Sequence, residues 1–179
     1  MSPVCTPWRG EEKSFLSREE TVMEREAAKG KKLNRITMKE IDLIKKAKAT
    51  RLKAYAPYSK FKVGAALLTK SGKVYTGANV ENSTYGLTVC AERVAVFNAI
   101  NQGDKDFIKI IVAADENPPV TPCGACRQVL SEFARDLVVV CVNLKGKIDR
   151  YSLKELLPEP FEKPSTEEKH RTGKKEKGR

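Results

Sequence analysis

Three cysteines lie in two short segments whose residue types could hold a metal ion. Residues 90–93 read Cys-Ala-Glu-Arg, and residues 122–127 read Pro-Cys-Gly-Ala-Cys-Arg. Apolar side chains recur at helical spacing after each segment, so each is predicted to begin a helix. Free backbone N–H groups and the positive end of the helix dipole favour thiolate over thiol at such a position. Two helix starts that meet would therefore offer Cys90, Cys123 and Cys126 to one zinc ion.

The number of ligands indicates which kind of zinc site this would be. Structural zinc has four protein ligands, whereas catalytic zinc has three and keeps one position open for water. The single histidine, His170, lies in a charged tail, and the other cysteines are Cys5 in the N-terminal extension and Cys141 in an apolar run. The sequence thus predicts an open site with Glu92 as its acid/base group. A closed structural site with a fourth ligand such as Asp115 is the alternative.

These segments resemble the all-cysteine form of the zinc deaminase signature, Cys-Ala-Glu followed by Pro-Cys-x-x-Cys. Further motifs resemble the small cytidine deaminases in the same order. They are Tyr-Ala-Pro-Tyr-Ser-Lys-Phe-Lys-Val-Gly-Ala-Ala at 55–66, Gly-Ala-Asn-Val-Glu-Asn at 77–82, and Glu-Leu-Leu-Pro at 155–158 with Phe161 after it. The resemblance implies hydrolytic deamination of free cytidine and deoxycytidine to uridine and deoxyuridine, with one Zn²⁺ per chain. It does not rank the two substrates.

The resemblance also implies roles for the charged residues near the cysteines. Glu92 would carry the protons, and Arg93 and Arg127 would hydrogen-bond thiolates and withdraw some of their charge, most clearly Arg93. A purely scaffolding role for Arg127 stays open. Since positions two apart on a helix face nearly opposite directions, Cys90 and Glu92 can share a site only if Cys90 lies at or before the first turn.

A different set of residues is expected to bind the nucleoside. The resemblance places Asn79 and Glu81 on the ribose hydroxyls, Phe61 against the base, and Ala91 at the base edge. Asn79 as a turn residue, Glu81 as a solvated one and Phe61 as core are the structural alternatives. A pocket closed around a free 3′-hydroxyl leaves no exit for a phosphodiester, so the substrate is expected to be a free nucleoside.

The resemblance further implies a homotetramer in which neighbouring subunits complete each active site. Ser83, Tyr85 and Phe161 are the residues expected to contribute across the interface. From the residues alone, Tyr85 and Phe161 are large apolar groups at positions that require cover.

Composition places the chain among soluble globular proteins. It has 179 residues, of which 40% are hydrophobic and 32% charged, with a net charge of +11. It has neither a transmembrane run of about 18 apolar residues nor an apolar signal region near Met1. Five cysteines, three of them predicted thiolates, favour a reducing compartment, so a cytoplasmic location is expected. Basic charge can attract RNA, but solubility is the preferred explanation here.

Three regions are predicted from charge and apolar patterning. Residues 1–36 form a charged extension, residues 37–161 the catalytic domain, and residues 162–179 a basic disordered tail. Within the domain we predict a helix from Thr37 that stops by Pro57, strands at 61–68, 73–80, 107–114, 137–144 and within 145–151, and a short helix at 152–157. The fold class is α/β, a three-layer α/β/α domain with a mixed sheet of about five strands.

Two other functions are compatible with parts of this pattern. A deaminase of another aminopyrimidine nucleoside, such as blasticidin S, would keep the zinc motif and alter the sugar pocket, but the intact Asn-Val-Glu-Asn at 79–82 disfavours it. A polynucleotide deaminase or RNA-binding module would use the basic tail. The scarcity of aromatic residues outside the core disfavours the stacking of single strands.

Overall fold

The computed structural model describes residues 38–162 of the chain. The predicted charged extension and the basic tail, apart from residue 162, lie outside this range. So do Cys5, His170 and Thr37, the predicted start of the first helix. Within the described residues, none of the helices is long and apolar enough to cross a membrane.

Five strands form one mixed sheet within the described residues, as the sequence predicts. In chain order they are β1 (Gly64–Thr69), β2 (Val74–Ala78), β3 (Phe107–Ala114), β4 (Val138–Asn143) and β5 (Ile148–Ser152), and they lie in the order β2-β1-β3-β4-β5. Only β3 and β4 pair in parallel; the other neighbours are antiparallel.

Helices cover both faces of the sheet and give the three-layer architecture. They are α1 (Met38–Arg51), α2 (Ala91–Asn101), α3 (Gly124–Phe133) and the short α4 (Leu153–Leu156). Helix α1 packs Leu43 and Ala47 into a core with one sheet face. On the other face, Ala95 of α2, Leu130 of α3 and Leu153 of α4 share a larger core with buried strand residues. Burial of the apolar faces of these helices is expected to contribute most to the stability of the domain.

Strand directions explain why the two cysteine helices start close together. Strands β2 and β3 both run antiparallel to β1, so they end at the same edge of the sheet, where Ala78 and Ala113 are both in register with Gly64. The chain then enters α2 after β2 and α3 after β3. The loops that carry Cys90 and Cys123 therefore leave from one edge.

Several predicted boundaries differ from the observed ones. Helix α1 ends at Arg51, before the predicted stop at Pro57, and β1 begins at Gly64 rather than Phe61. The segment before Gly64 has apolar side chains, but the side-chain amide of Asn79 binds part of its backbone in place of a full strand ladder. Strand β5 begins at Ile148, three residues after the first residue of the segment 145–151 in which it is predicted.

Candidate active site

Two of the three cysteines are helix N-cap residues. Cys90 precedes α2 with φ −71° and ψ 154°, and Cys123 precedes α3 with φ −67° and ψ 165°. Both residues therefore have extended backbones and lie just before the first turn, where Cys90 can share a site with Glu92. Cys126 lies in the first turn of α3 and is buried.

The three sulfur atoms are spaced as ligands of one zinc ion would be. The distance from Cys90 Sγ to Cys123 Sγ is 3.8 Å, that from Cys123 Sγ to Cys126 Sγ is 3.5 Å, and all three atoms lie within 4.8 Å of one another. Tetrahedral zinc with Zn–S bonds of about 2.3 Å requires S···S distances of about 3.8 Å. The cluster fits zinc, and three ligands leave a fourth coordination position for water.

Arg93 is the cation next to this cluster. One of its guanidinium nitrogens, Nη2, donates to Cys90 Sγ at 3.6 Å and to the carbonyl oxygen of Thr88 at 3.0 Å. Hydrogen bonding from Cys126 and then from Arg93 lowers the pKa of Cys90 to about 5, against the opposing effect of burial. The pKa of the paired Cys126 is raised by the hydrogen bond to Cys90 and by burial. The site thus favours a thiolate even before a metal binds.

Glu92 is the carboxyl group in this cluster. Its side chain is 5% exposed, in the first turn of α2. Burial is the main cause that raises its pKa to about 7, and the negative charge of Cys90 acts in the same direction. A carboxyl group in this state can both accept and donate a proton near neutral pH. Ala91, which precedes it, is fully buried.

Arg127 does not contact a sulfur atom in the way the sequence prediction suggests. Within the described part of the chain, its guanidinium donates to the carbonyl oxygens of Pro122 and Leu156 and to Thr121 Oγ1. Because each helical residue is rotated by about 100° from the one before, the position after Cys126 points away from the cluster. Arg127 instead fastens the loop before α3 to the end of α4, which matches the scaffolding alternative.

The predicted sugar-binding residues form a hydrogen-bonded group with the segment around Phe61. Asn79 Oδ1 accepts from the Val63 N–H at 2.8 Å, and Asn79 Nδ2 donates to the Phe61 carbonyl oxygen at 2.9 Å. Glu81 Oε2 accepts from the N–H groups of Tyr58 and Ser59 at 2.9 and 3.3 Å. Each of these four bonds organises the segment on which Phe61 lies.

A short antiparallel bridge joins the segment of the predicted sugar-binding residues to the segment that leads into the cysteine cluster. Val80 and Val89 exchange backbone hydrogen bonds of 2.9 and 3.0 Å. Val80 stands between the two predicted sugar-binding residues, and Val89 immediately precedes Cys90. The structure therefore brings the two predicted sets side by side.

Phe61 is 37% exposed and lines an open cleft of about 740 Å³. Asn117 and Thr121, from the loop that leads to Cys123, also line the cleft, as do Asp149 and Tyr151 of β5. Phe61 is thus available to a ligand and is not a core residue.

The residues expected to act across a subunit interface are exposed in this chain. Ser83 is exposed, and the side chains of Tyr85 and Phe161 are each 76% exposed. Tyr85 makes an edge-to-face contact with Tyr58, with ring centroids 6.3 Å apart.

Gln128 is a residue that the sequence reasoning missed. It lies on α3, and both polar atoms of its side-chain amide bind the backbone of Phe161. Nε2 donates to the Phe161 carbonyl oxygen and Oε1 accepts from the Phe161 N–H, both at 2.9 Å. The backbone at Phe161, whose aromatic side chain is exposed, is therefore fastened to the same helix that carries Cys126. The only signal in the sequence is its place directly after the cysteine motif, which indicates no partner.

Comparisons with known proteins agree with the fold and with the cysteine cluster. Residues 38–142 match the model of the cytidine and deoxycytidylate deaminase zinc-binding region. A cytidine deaminase of Halalkalibacterium halodurans is 53% identical over 120 residues, covering 66% of this chain and 91% of the relative. The crystal structure of a cytidine deaminase from Burkholderia pseudomallei has a TM-score of 0.67 and 50% identity, covering 70% of this chain and 100% of that one. A blasticidin-S deaminase of Bacillus cereus is 35% identical over 108 residues, covering 56% of this chain and 76% of the relative.

Proposed function

Because the chain belongs to the cytidine and deoxycytidylate deaminase family, whose zinc-binding region it contains, we propose that it hydrolyses free cytidine and deoxycytidine to uridine and deoxyuridine with release of ammonia. The observation that carries this proposal is the meeting of three cysteine sulfurs, all within 4.8 Å of one another, beside the buried Glu92. No histidine or fourth cysteine joins that cluster among residues 38–162.

In the proposed reaction, Cys90, Cys123 and Cys126 hold the zinc ion. When bound, zinc supplies Lewis acidity and a water of lowered pKa in its open position. Glu92 accepts one proton of the attacking water and delivers it to N3 of the pyrimidine. It then takes the second proton from the new hydroxyl group on C4 and passes it to the amino group, which leaves as ammonia when the C4–N bond breaks. Arg93 lowers the negative charge of the thiolates through its bond to Cys90 Sγ. Arg127 supports the loop before α3.

Spare hydrogen-bonding capacity supports nucleoside binding by Asn79 and Glu81. A carboxylate has about four lone-pair positions, and an amide group has two N–H donors and two lone pairs. After the bonds to residues 58–63, Asn79 keeps one donor and Glu81 keeps acceptor capacity for a sugar hydroxyl. Phe61 would lie against the base, and the backbone at Ala91 would contact its edge.

The match to a relative named as a blasticidin-S deaminase makes blasticidin S the alternative substrate, but the observations favour cytidine. The relative named as a cytidine deaminase matches at 53% identity, against 35% for the blasticidin-S deaminase. Polynucleotide deamination is disfavoured, since a group closed on a free sugar hydroxyl excludes a continuing strand.

The proposal extends to assembly and cellular context. We propose a homotetramer in which Ser83, Tyr85 and Phe161 complete a neighbour's site, because their exposure in the single chain leaves them free to do so. Reactive thiolates suit a reducing compartment, which supports a cytoplasmic role in pyrimidine salvage. The catalytic domain is proposed to span residues 37–161, between the extension 1–36 and the tail 162–179.

The proposal is tested by steady-state turnover of cytidine, deoxycytidine and a short cytosine oligonucleotide, with zinc quantified per chain. We expect turnover of both nucleosides, no turnover of the oligonucleotide, and one zinc per chain. Deletion of the tail, residues 162–179, is expected to leave nucleoside turnover unchanged. Purified zinc-loaded protein that leaves cytidine unaltered would overturn the proposed function.

A further inference from the structure

The hydroxyl of Ser59 links two parts of the candidate nucleoside site. Ser59 Oγ accepts a hydrogen bond from the Phe61 N–H at 3.0 Å and donates one to Glu81 Oε1. A serine hydroxyl has one donor and two acceptor positions, so it can make both bonds at once. Glu81 lies 22 residues away in the chain, and this side chain thus ties the loop after α1 to the segment after β2.

The same short turn also fixes the other oxygen of Glu81. Oε2 receives the N–H groups of Tyr58 and Ser59, so one carboxylate is bound by three donors from two consecutive residues. The next residue, Lys60, has φ 61°, in the left-handed region that a residue with a side chain rarely adopts. A turn bound in this way sets where the chain delivers Phe61.

The electrostatics of Glu81 agree with this geometry. The hydrogen bond from the Ser59 hydroxyl is the largest influence on the pKa of Glu81 and lowers it. Burial, the second-largest influence, acts in the opposite direction, and the two backbone N–H groups add to the lowering. The carboxylate is therefore ionised at neutral pH, and its remaining lone pairs can accept a hydrogen bond from a sugar hydroxyl.

We propose that Ser59 is a positioning residue for nucleoside binding, which orients the Glu81 carboxylate toward the sugar and fixes Phe61 at the base through one hydroxyl group. This inference rests on the proposed function, in which Glu81 and Phe61 contact the substrate. It extends that function by a residue that makes no substrate contact of its own.

Loss of the hydroxyl removes the tether while leaving the fold intact. Ser59 is exposed, so water can satisfy the Phe61 N–H and Glu81 after a Ser59→Ala change, and no buried polar group is stranded. What is lost is the fixed orientation. The loss of one charge-assisted hydrogen bond is expected to weaken nucleoside binding about 10- to 50-fold. This loss should raise KM and leave kcat nearly unchanged, because the chemistry occurs at Glu92.

The test compares Ser59→Ala, Ser59→Thr and a matched control, Ser71→Ala, on cytidine and on 2′,3′-dideoxycytidine. Ser71 lies in the β1–β2 turn, where its hydroxyl bonds Thr69 Oγ1, at the opposite end of β2 from the loop that leads to Cys90. We expect Ser59→Ala to raise KM for cytidine about 10- to 50-fold, with kcat within about threefold. The penalty should be smaller on the dideoxynucleoside, which lacks the hydroxyl that Glu81 would bind. Ser59→Thr should recover most of the loss, and Ser71→Ala should match the wild type.

Three results would overturn the positioning role. They are a Ser59→Ala enzyme with wild-type kinetics, an equal penalty on both nucleosides, and a loss confined to kcat. Thermal unfolding and zinc content of each variant should match those of the wild type, which excludes a general loss of fold as the cause of a raised KM. A wild-type chain that does not act on cytidine would instead overturn the proposed function itself, and the Ser59 proposal with it.

Discussion

Cys90 and Glu92 can serve one site because they do not belong to the same regular helix. Cys90 is the N-cap with an extended backbone, whereas Glu92 is the second residue of α2. Two residues within a helix, separated by one, would diverge by about 200°. The N-cap position releases Cys90 from that constraint, so its sulfur points toward the other helix start while Glu92 is buried beside it.

Glu92→Gln is expected to abolish measurable turnover of cytidine and to retain zinc. The amide keeps the size and hydrogen-bonding shape of the side chain but cannot carry a proton, and loss of a general acid/base typically costs about 10²- to 10⁴-fold in rate. The check is kcat together with zinc per chain, with Glu132→Gln on the exposed side of α3 as the control. An active Glu92→Gln enzyme would show that another group transfers the protons.

Residue types with distinctive chemistry were the ones that the sequence could identify. Three cysteines and a nearby glutamate define a recognisable pattern, and the cysteines meet in the structure. Ser59 and Gln128 have common side chains whose partners lie 22 and 33 residues away, so no local pattern indicates their bonds. For Arg127 the sequence leaves a thiolate contact and a scaffolding role open, because it follows Cys126 directly. Only the structure shows that its guanidinium donates to the Pro122 and Leu156 carbonyl groups.

At the level of elements, Gly77 allows α2 to begin close to β2. A Cβ atom at this position would lie 2.3 Å from the Ala91 carbonyl oxygen and 2.4 Å from the Ala95 nitrogen. Both are backbone atoms of the helix that follows Cys90, so no side-chain rotation can relieve the clash. The absence of a side chain at Gly77 thus determines how near the start of α2 lies to the sheet.

Gly77→Ala is therefore expected to push α2 away from β2 and to disturb the site. We expect a loss of about 3 kcal/mol in the free energy of unfolding, since overpacking against fixed backbone is poorly accommodated, and weaker zinc binding because Cys90 moves with the helix. Denaturant unfolding and zinc titration measure the two effects. Gly86→Ala is the control, because a Cβ there has no atom within 4 Å. Equal stability of the two variants would contradict the close-packing argument.

The start of β1 shows why element boundaries are harder to predict than element types. Apolar alternation extends the strand back to Phe61, and the sequence pattern cannot show that Asn79 will bind the Phe61 carbonyl and the Val63 N–H with its side chain. β3, by contrast, is a continuous apolar run at Phe107–Ala114, and its predicted and observed bounds coincide. Long buried strands are determined by their own residues, whereas strand ends depend on distant partners.

In the whole domain, an ionic network around the buried Glu40 ties α1 to strands β3 and β5. Glu40 is 2% exposed and pairs with Lys109 of β3 and Arg150 of β5. Burial alone would raise the pKa of Glu40, but the hydrogen bonds and positive charges of the two cations outweigh it, and the pKa is lowered from its ordinary value of 4.5. The folded protein therefore holds this carboxyl group as an anion more strongly than the unfolded chain does.

This difference predicts how stability depends on pH. A carboxyl group with a depressed folded-state pKa contributes stability above its unfolded pKa, and the contribution is lost as pH falls through the folded pKa. Glu40→Gln should lower the free energy of unfolding by about 3 kcal/mol near neutral pH, because the buried Arg150 and the partly buried Lys109 lose their anion. The difference in free energy of unfolding between the variant and the wild type should narrow as pH falls below the ordinary carboxyl value of 4.5 and through the lowered pKa of Glu40. Denaturant unfolding against pH measures it, with exposed Glu159→Gln as the control; a gap that stays constant into acid would contradict the network's role.

The proposed homotetramer predicts that each active site contains residues of two different chains. Phe161 is held by Gln128 but is 76% exposed, so its side chain is available to a neighbour. Phe161→Ala should raise KM by removing aromatic cover from the adjacent subunit's substrate, while Glu92→Gln lacks the proton carrier of its own site. Mixed oligomers assembled from equal amounts of the two variants then contain sites with an intact Glu92 and a neighbour's intact Phe161.

Random assembly of the two variants should restore about a quarter of wild-type activity at low cytidine concentration, because half of the sites keep Glu92 and half of those have an intact neighbour. The measurement is turnover before and after co-refolding, with molar mass determined by light scattering. Phe161→Ala co-refolded with wild-type chains serves as the control for refolding yield. If Phe161 acted within its own chain, no mixed site would combine both intact residues, and co-refolding would restore nothing beyond the sum of the separate variants.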